Sequence, residues 1–227
     1  MNKVSIVILN YDGWAMTHNL LFDIYKNCSV QFIHEVLVVN NGCTEPESFT
    51  GLEWWIGTGM LPIRELRIEK NVGFLLGANA GLKDATGDII VLLSNDVRIY
   101  GDVVALVVAG ATIDEKILIG GKFYPTSTGW NDFDGRVYPY AEGWLLASTK
   151  KNWEELDYFD ERYAPNDYED VDLSTKAFSL GFAVAQITPD GGQILEHLSG
   201  RTLMYNADRE ELTKKNREKF REKWKPT

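Results

Sequence analysis

Cysteine is nearly absent. Cys28 and Cys43 are the only two in 227 residues, too few for a secreted disulfide framework and without the spacing of a zinc site. Long hydrophobic runs are missing as well: no apolar stretch approaches the ~20 residues that span a bilayer, and the N-terminus lacks the basic-then-apolar pattern of a signal peptide. No transmembrane segment and a cytoplasmic location are therefore expected. Positive charge is in deficit, with 23 Lys plus Arg against 33 Asp plus Glu and a formal net charge of -10. That balance disfavours broad nucleic-acid binding, because phosphate contacts need cationic surface. What is present is ordinary globular material, 44% apolar and 25% charged, in a chain long enough to bury a core without disulfide or metal staples.

The charge is unevenly spread. Lys214, Lys215, Arg217, Lys219, Arg221, Lys223 and Lys225 face only Glu218 and Glu222 between residues 214 and 225, so that stretch is +5 and the rest of the chain -15. Two readings stand side by side. The segment Lys214–Lys225 could make a weak contact with an anionic membrane surface or acceptor. It could also be a solvated helix, with Lys214 and Glu218 paired at i,i+4 and Phe220 and Trp224 turned inward.

Strand and helix signals alternate through the first half. Val4–Leu9, Val36–Val39, Leu66–Glu69 and Ile89–Leu93 read as buried strands, with helices near Ala15–Lys26 and from the glycine-punctuated segment after Glu69 up to Ala85. Continuous apolar strands separated by helices imply an α/β fold with a mostly parallel sheet covered on both faces. Ligands of such sheets sit at the carboxyl ends of the strands. The polar stops Asn10-Tyr11-Asp12, Asn40-Asn41-Gly42 and Ser94-Asn95-Asp96 all fall there. The second half carries short strand candidates at Ile117–Ile119, Trp144–Ala147 and Ala183–Ile187, and a helix over about Glu169–Leu180 with Gly181 ending it. No linker or repeat divides the chain. One domain is expected, with a nucleotide half (about 1–97), an acceptor half (about 98–205) and a basic C-terminal helix (about 206–227).

Four segments can carry chemistry. Ser94-Asn95-Asp96 delivers a carboxylate to the ligand edge, which suits Mg²⁺ or Mn²⁺ bridging a diphosphate, though the same residues also make an ordinary strand-ending turn. Glu169, Asp170 and Asp172 open a helix, either as favourable charge on its dipole or as a source of a general base. His197 follows a strand, where a hydrogen-bonding role competes with metal ligation. Asn71, Gly73, Phe74 and Asn79 precede or open a helix that could receive phosphate or ribose. Their spacing matches neither G-x-G-x-x-G nor G-x-x-x-x-G-K, which argues against a NAD-dependent or P-loop enzyme.

In order, these segments resemble the family-2 glycosyltransferases of the GT-A fold, and in particular their rhamnosyltransferase-like branch. Val38-Val39-Asn40-Asn41-Gly42-Cys43-Thr44-Glu45 is similar to the family's V-V-D-N-G-S-T-D, and Asn71 to Gly81 to its N-x-G-F-x-x-G-x-N-x-G. Leu93-Ser94-Asn95-Asp96 falls at the D-x-D metal motif. Phe159-Asp160-Glu161 followed by Glu169-Asp170-Val171-Asp172-Leu173 is similar to F-D-E…E-D-x-D-L. The resemblance implies an inverting transfer of a sugar from a nucleotide-diphosphate donor, UDP- or dTDP-linked, to a glycan or lipid-linked glycan. It implies Asp170 as base, with Glu169 and Asp172 shaping the acceptor side and helix start. Asp96 and His197 would hold Mn²⁺ or Mg²⁺. Asn10, Tyr11, Asp12, Asn40, Asn41, Asn71, Gly73, Phe74, Asn79, Ser94 and Asn95 would line the donor, while Trp130, Trp144 and Tyr168 could stack on an acceptor sugar or simply be core. The sequence departs from the family at Asn40 and Ser94, both aspartates in its usual pattern. A catalytically inactive nucleotide- or glycan-binding relative and an enzyme acting on modified nucleic acid are the alternatives.

Overall fold

The computed structural model describes residues 3–129, 131–133, 135–188, 194–198 and 207–225. Its strands are β1 (Val4–Asn10), β2 (Ile33–Asn41), β3 (Ile63–Ile68), β4 (Ile89–Ser94), β5 (Val97–Ile99), β6 (Ile117–Gly120), β7 (Phe123–Tyr124), β8 (Asp132–Phe133), β9 (Arg136–Val137), β10 (Tyr140–Ala141), β11 (Leu145–Thr149), β12 (Ala183–Gln186) and β13 (Leu195–His197). The helices are α1 (Trp14–Asn27), α2 (Glu47–Thr58), α3 (Phe74–Asp84), α4 (Val103–Ile113), α5 (Lys150–Glu155), α6 (Glu169–Ser179) and α7 (Ala207–Lys223).

The central sheet has the order β12-β6-β11-β4-β1-β2-β3. Strands β4, β1, β2 and β3 are parallel neighbours, as the buried apolar runs predict. Strand β11 is the exception, running antiparallel to both β4 and β6. Two cores sandwich the sheet. Successive β1 residues alternate between them by the period of a strand: Ile6 and Ile8 join Leu20, Leu21 and Ile24 of α1, while Val7 joins Leu75, Ala78 and Leu82 of α3.

Helix α3 lies unusually close to the sheet. A Cβ on Gly81 would come within 2.5 Å of Val7 Cγ1 and 2.8 Å of Val39 Cγ2, so only glycine lets the helix seat there.

Three helices that the periodicity does not single out are α2, α4 and the short α5. The sequence of α4, VVALVVAGATI, is rich in β-branched residues. It is helical because the Asp102 carboxylate caps it, accepting from Ala105 N–H at 3.0 Å, and because Val103, Val104 and Val107 face the core.

Helix α7 packs on the body rather than projecting from it. Phe220 is fully buried against Phe133, Tyr138 and Tyr168. Lys214 and Lys215 pair with Glu210 and Glu211 one turn earlier, not with Glu218. Lys219 and Lys223 turn inward onto the Arg162 carbonyl and the Asp160 and Asp172 carboxylates. Several of the seven cations are thus consumed within the fold, which leaves much less free charge for an anionic surface than the sequence suggests. Among the described residues, no helix is long and apolar enough to cross a membrane.

Substituting Gly81→Val should lower the melting temperature by about 3–10 °C through overpacking of α3 on β1 and β2. Differential scanning calorimetry checks this, and an unchanged transition would contradict the close seating.

Candidate active site at the carboxyl edge of the sheet

On the β1–β2 side, the polar stops are tied to one another. Asn10 Nδ2 donates to Asn40 Oδ1 and Ser48 Oγ, both at 2.9 Å, and its Oδ1 accepts from Thr17 Oγ1 at 3.0 Å. Asn40 Nδ2 donates to Glu65 Oε1 at 2.7 Å. Asn95 Nδ2 donates to the same Thr17 hydroxyl at 3.2 Å. These buried amides knit three strand ends into one platform, and satisfaction of each polar group is the condition for burying it.

Asp12, at φ 43, reaches across to the next loop. Its carboxylate accepts from Thr44 N–H at 2.6 Å, Glu45 N–H at 2.9 Å and Thr44 Oγ1 at 2.8 Å. The Glu45 N–H foremost, together with Thr44, holds the Asp12 carboxyl below its usual range. Tyr11 beside it is exposed.

Asn41 performs the same service for the segment opening α3. It donates to Asn71 Oδ1 and the Gly73 carbonyl, both at 3.1 Å, and accepts from Val72 N–H. The start of α3 is not an open anion cradle. Leu75 N–H donates to the Pro165 carbonyl at 3.0 Å, and Gly73, at φ 86, lies so close to Pro165 that a Cβ would be 2.5 Å from its Cβ. Phe74 meets the Phe159 ring. Asn79 is buried and bonds both backbone groups of Phe159, at 2.9 and 3.0 Å. Its amide is therefore committed to holding the two halves together, because the loop carrying Phe159 folds back onto α3.

Asp96 and His197 meet, though 101 positions separate them in the sequence. Strands β5 and β13 form an antiparallel ribbon that pairs Val97 with His197, and Leu198 N–H donates to the Asp96 carbonyl. Nε2 of His197 lies 3.3 Å from Oδ1 of the buried Asp96. The indole of Trp144 stacks on the imidazole, centroids 5.1 Å apart and 18° from parallel. Ser94 N–H donates to the Trp144 carbonyl at 2.8 Å. Octahedral Mg²⁺-type ions with bonds near 2.1 Å hold adjacent ligands about 3 Å apart, so the spacing of this carboxylate and imidazole fits such an ion. Among the described residues no group of three or more His, Cys, Asp and Glu gathers. Phosphate oxygens and water usually complete the shell of these ions.

The acidic helix start divides by direction. Asp170 faces the same corner as Trp144, its Oδ2 accepting from Gly143 N–H at 3.1 Å and its Oδ1 from Val171 N–H at 2.8 Å. Burial pushes its carboxyl up to about 6, with the charge of Glu142 adding to the rise and the two N–H groups opposing it. Glu169 is buried beside it, raised well above the usual carboxylate range by burial and then by the Asp170 charge. Its Oε2 has no hydrogen-bond partner among the described residues. Asp172 points the other way. Its carboxylate accepts from Tyr163 Oη, Trp224 Nε1 and Lys223 Nζ, at 3.1, 2.8 and 2.7 Å. It anchors α7 and stands apart from the acceptor-side corner that the sequence reading assigns it.

Tyr168 also differs from expectation. It is only 4% exposed, its ring packed against Phe133 and Phe220, and burial pushes its hydroxyl up to about 12. A sugar platform there is ruled out because α7 covers the ring. Trp144 keeps one face on His197, and its indole N–H donates to Glu142 Oε2 at 2.7 Å. Trp130 lies outside the described residues. The sequence reading misses Glu142 and Gly143, which orient Trp144 and Asp170. No motif marks them, because Tyr124 of β7 and Asp170 of α6, which they meet, lie far off in the sequence.

A sequence profile described as Glycosyl transferase family 2 matches residues 5–179, which leaves α7 outside the match. Two uncharacterized glycosyltransferases of Bacillus subtilis (strain 168) are similar in sequence. YfnE is 28% identical over 123 residues, 54% of this chain and 30% of that protein. YwdF is 32% identical over 94 residues, 41% of this chain and 32% of that protein. The matched region thus spans less than a third of either curated relative. In fold, the chain is similar to GalNAc-T7 with UDP, GalNAc and Mn²⁺ (TM-score 0.68, 16% identity, 81% of this chain and 42% of that one). It is likewise similar to the mannosyltransferase PcManGT of Pyrobaculum calidifontis with GDP-Man and Mn²⁺ (0.66, 19%, 84% and 55%). A third likeness is to residues 1–349 of TarS from S. aureus with UDP-GlcNAc (0.63, 20%, 94% and 65%).

Breaking the Asp172 anchor should cost stability and spare ligand binding. Asp172→Asn leaves Lys223 still paired with Asp160, so the loss should be that of a charged hydrogen bond rather than of a stranded buried charge, about 1.5–3 kcal/mol. Urea unfolding measures the loss. A midpoint equal to wild type would contradict the anchoring role.

Proposed function

The chain belongs to glycosyl transferase family 2, and on that premise we propose that it moves a sugar from a nucleotide-diphosphate donor, UDP- or dTDP-linked, to a hydroxyl of a glycan or lipid-linked glycan, inverting the anomeric carbon. One observation carries the reading. The Asp96–His197 pair and the Asp170 carboxylate converge on the Gly143–Trp144 corner at the carboxyl edge of the sheet. The donors held by structures of the same fold, UDP, GDP-Man and UDP-GlcNAc, support a nucleotide-sugar substrate. The proposal covers residues 1–227 as a single GT-A domain acting in the cytoplasm.

The residues divide the work. Asp96 and His197 would hold Mn²⁺ or Mg²⁺, whose charge offsets that on the leaving diphosphate. Without a cation, a diphosphate would meet Asp96, Asp12 and Glu45 in a chain already at -10. Asp170 takes the proton of the acceptor hydroxyl as that oxygen attacks. A pKa near 6 suits the task, being high enough to accept the proton and low enough to stay ionised at neutral pH. The buried Glu169 sets the field around it. Asn10, Asn40 and Asn95 shape the donor floor from beneath, since their amides are spent within the fold, Asn10 on Asn40, Asn40 on Glu65 and Asn95 on Thr17.

A second reading is a relative that binds nucleotide or glycan without turnover. It is favoured by the closed start of α3, where Pro165 takes the place of a ligand. Transfer or donor hydrolysis with Mn²⁺ separates the two, and its complete absence across UDP-, dTDP- and GDP-sugars would favour the binder.

Two outcomes follow for the enzyme. Asp96→Ala should weaken UDP binding in the presence of Mn²⁺ by at least ~10-fold, and EDTA should do the same to wild type, since the cation offsets the diphosphate charge. Isothermal titration decides this, and undiminished binding in either case removes the metal assignment. Asp170→Asn should cut turnover by roughly 10²–10⁴-fold while sparing UDP affinity. Only the ionised carboxylate accepts a proton, so wild-type turnover should rise with pH through about 6 and level off above. A flat profile from pH 5 to 8 would remove Asp170 from that role.

A further inference from the structure

The two residues before the Glu169–Asp170 pair are held in a conformation that L-residues avoid. Asp167 lies at φ 72 and Tyr168 at φ 75, in the left-handed region where a Cβ crowds the backbone. Such a turn persists only where its surroundings over-determine it. Here the surroundings are helix α7. Asn216, fully buried, places its Nδ2 against the carbonyls of Tyr163, Asn166 and Asp167, at 2.9, 2.8 and 3.0 Å. Its Oδ1 accepts from Lys219. Arg209 and Thr213 grip the Asp167 carboxylate, with Arg209 Nη2 at 3.0 Å and Thr213 Oγ1 at 2.6 Å. The turn then leads directly into α6, whose first hydrogen bond runs from Asp172 N–H to the Tyr168 carbonyl.

We propose that α7 is a positioning clamp for the acidic start of α6: Asn216 and the Asp167–Arg209 pair fix the left-handed turn at 167–168 and so aim Asp170 at the Gly143–Trp144 corner. The inference deepens the reading of Asp170 as the base and rests on it. It concerns residues that touch neither donor nor metal. Asn216 lies 46 positions beyond Asp170, in a helix that follows the family match. Its side chain meets three carbonyls that no other described side chain satisfies, so loosening it frees the turn while the sheet and the donor loops stay in place.

The test uses the full chain. Asn216→Ala removes the three bonds, and a misplacement on the order of 1 Å costs up to about 10²-fold, so kcat should fall ~10- to 100-fold. Amide exchange over residues 168–173 should quicken by at least ~10-fold while exchange in β1, β2 and β4 stays as in wild type. The UDP dissociation constant with Mn²⁺ should be unchanged. Asp167→Asn, which keeps the Thr213 bond and loses the Arg209 charge pair, should show the same pattern more mildly, and it carries the test if Asn216→Ala does not fold. Unaltered exchange and kcat would overturn the clamp. So would loss of UDP binding in step with kcat, which marks a merely structural role. The two readings fail separately. A wild-type protein without transfer from any sugar donor overturns the assignment of Asp170, whereas an active wild type matched by both variants overturns only the clamp.

Discussion

The antiparallel pairing of β11 on β4 is the constraint on which the site depends. It sets Leu145 opposite Leu93 and brings the Trp144 carbonyl to Ser94 N–H. Glu142, Gly143 and Trp144 are thereby carried to the edge where β1, β2 and β4 end. From that corner Gly143 N–H reaches Asp170, and the Trp144 ring reaches His197. A parallel β11 would have placed the same three residues at the opposite edge, since reversing a strand exchanges its ends. The second half of the chain is thus joined to the first by a reversed strand in an otherwise mostly parallel sheet.

The platform beneath the site is built from side-chain amides rather than from charge. Asn10, Asn40, Asn41 and Asn79 have both their amide nitrogen and oxygen engaged within the fold, and Asn95 its amide nitrogen. An amide supplies both donor and acceptor, so each can bridge two strand ends where a carboxylate could only accept. Asn40 shows what this does. Its Nδ2 donates to Glu65 and its Oδ1 accepts from Asn10, a pattern that an aspartate would break on the Glu65 side by placing two carboxylates face to face. The chain's departure from the family at this position is consistent with the partner it has on β3.

Carboxylates near the helix start of α6 are separated by environment. Asp170 and Glu169 are raised by burial, whereas Asp172, two residues on, meets Lys223 and two neutral donors. A helix turns about 100° per residue, so neighbours in sequence face different surroundings. The basic C-terminal segment supplies the counter-charge, which is why its excess of lysine and arginine is partly spent inside the fold.

Much of the fold was legible in the sequence, because buried strands and amphipathic helices leave periodic patterns. Strands β1, β2 and β4, helices α1, α3 and α6, and the polar edge where the first three end could all be read from Val4–Leu9, Val36–Val39, Ile89–Leu93 and the stops that follow. Helix α4 could not, since its β-branched run carries the propensity of a strand and only the Asp102 cap and tertiary burial decide otherwise. Candidate residues were legible by type, but not their directions. Tyr168 and Asp172 stand in the same cluster as Asp170 in the sequence, and only the arrival of α7 shows that both belong to the far side. The meeting of Asp96 with His197 was implied only by the family resemblance and marked by no local pattern, because the β5–β13 ribbon is formed by backbone hydrogen bonds that join distant segments of chain. The sequence by itself determined which chemical groups this protein carries and the local structures that bear them. The tertiary structure decided which of those groups share a corner, because pairing across distant segments depends on the packing of the whole chain.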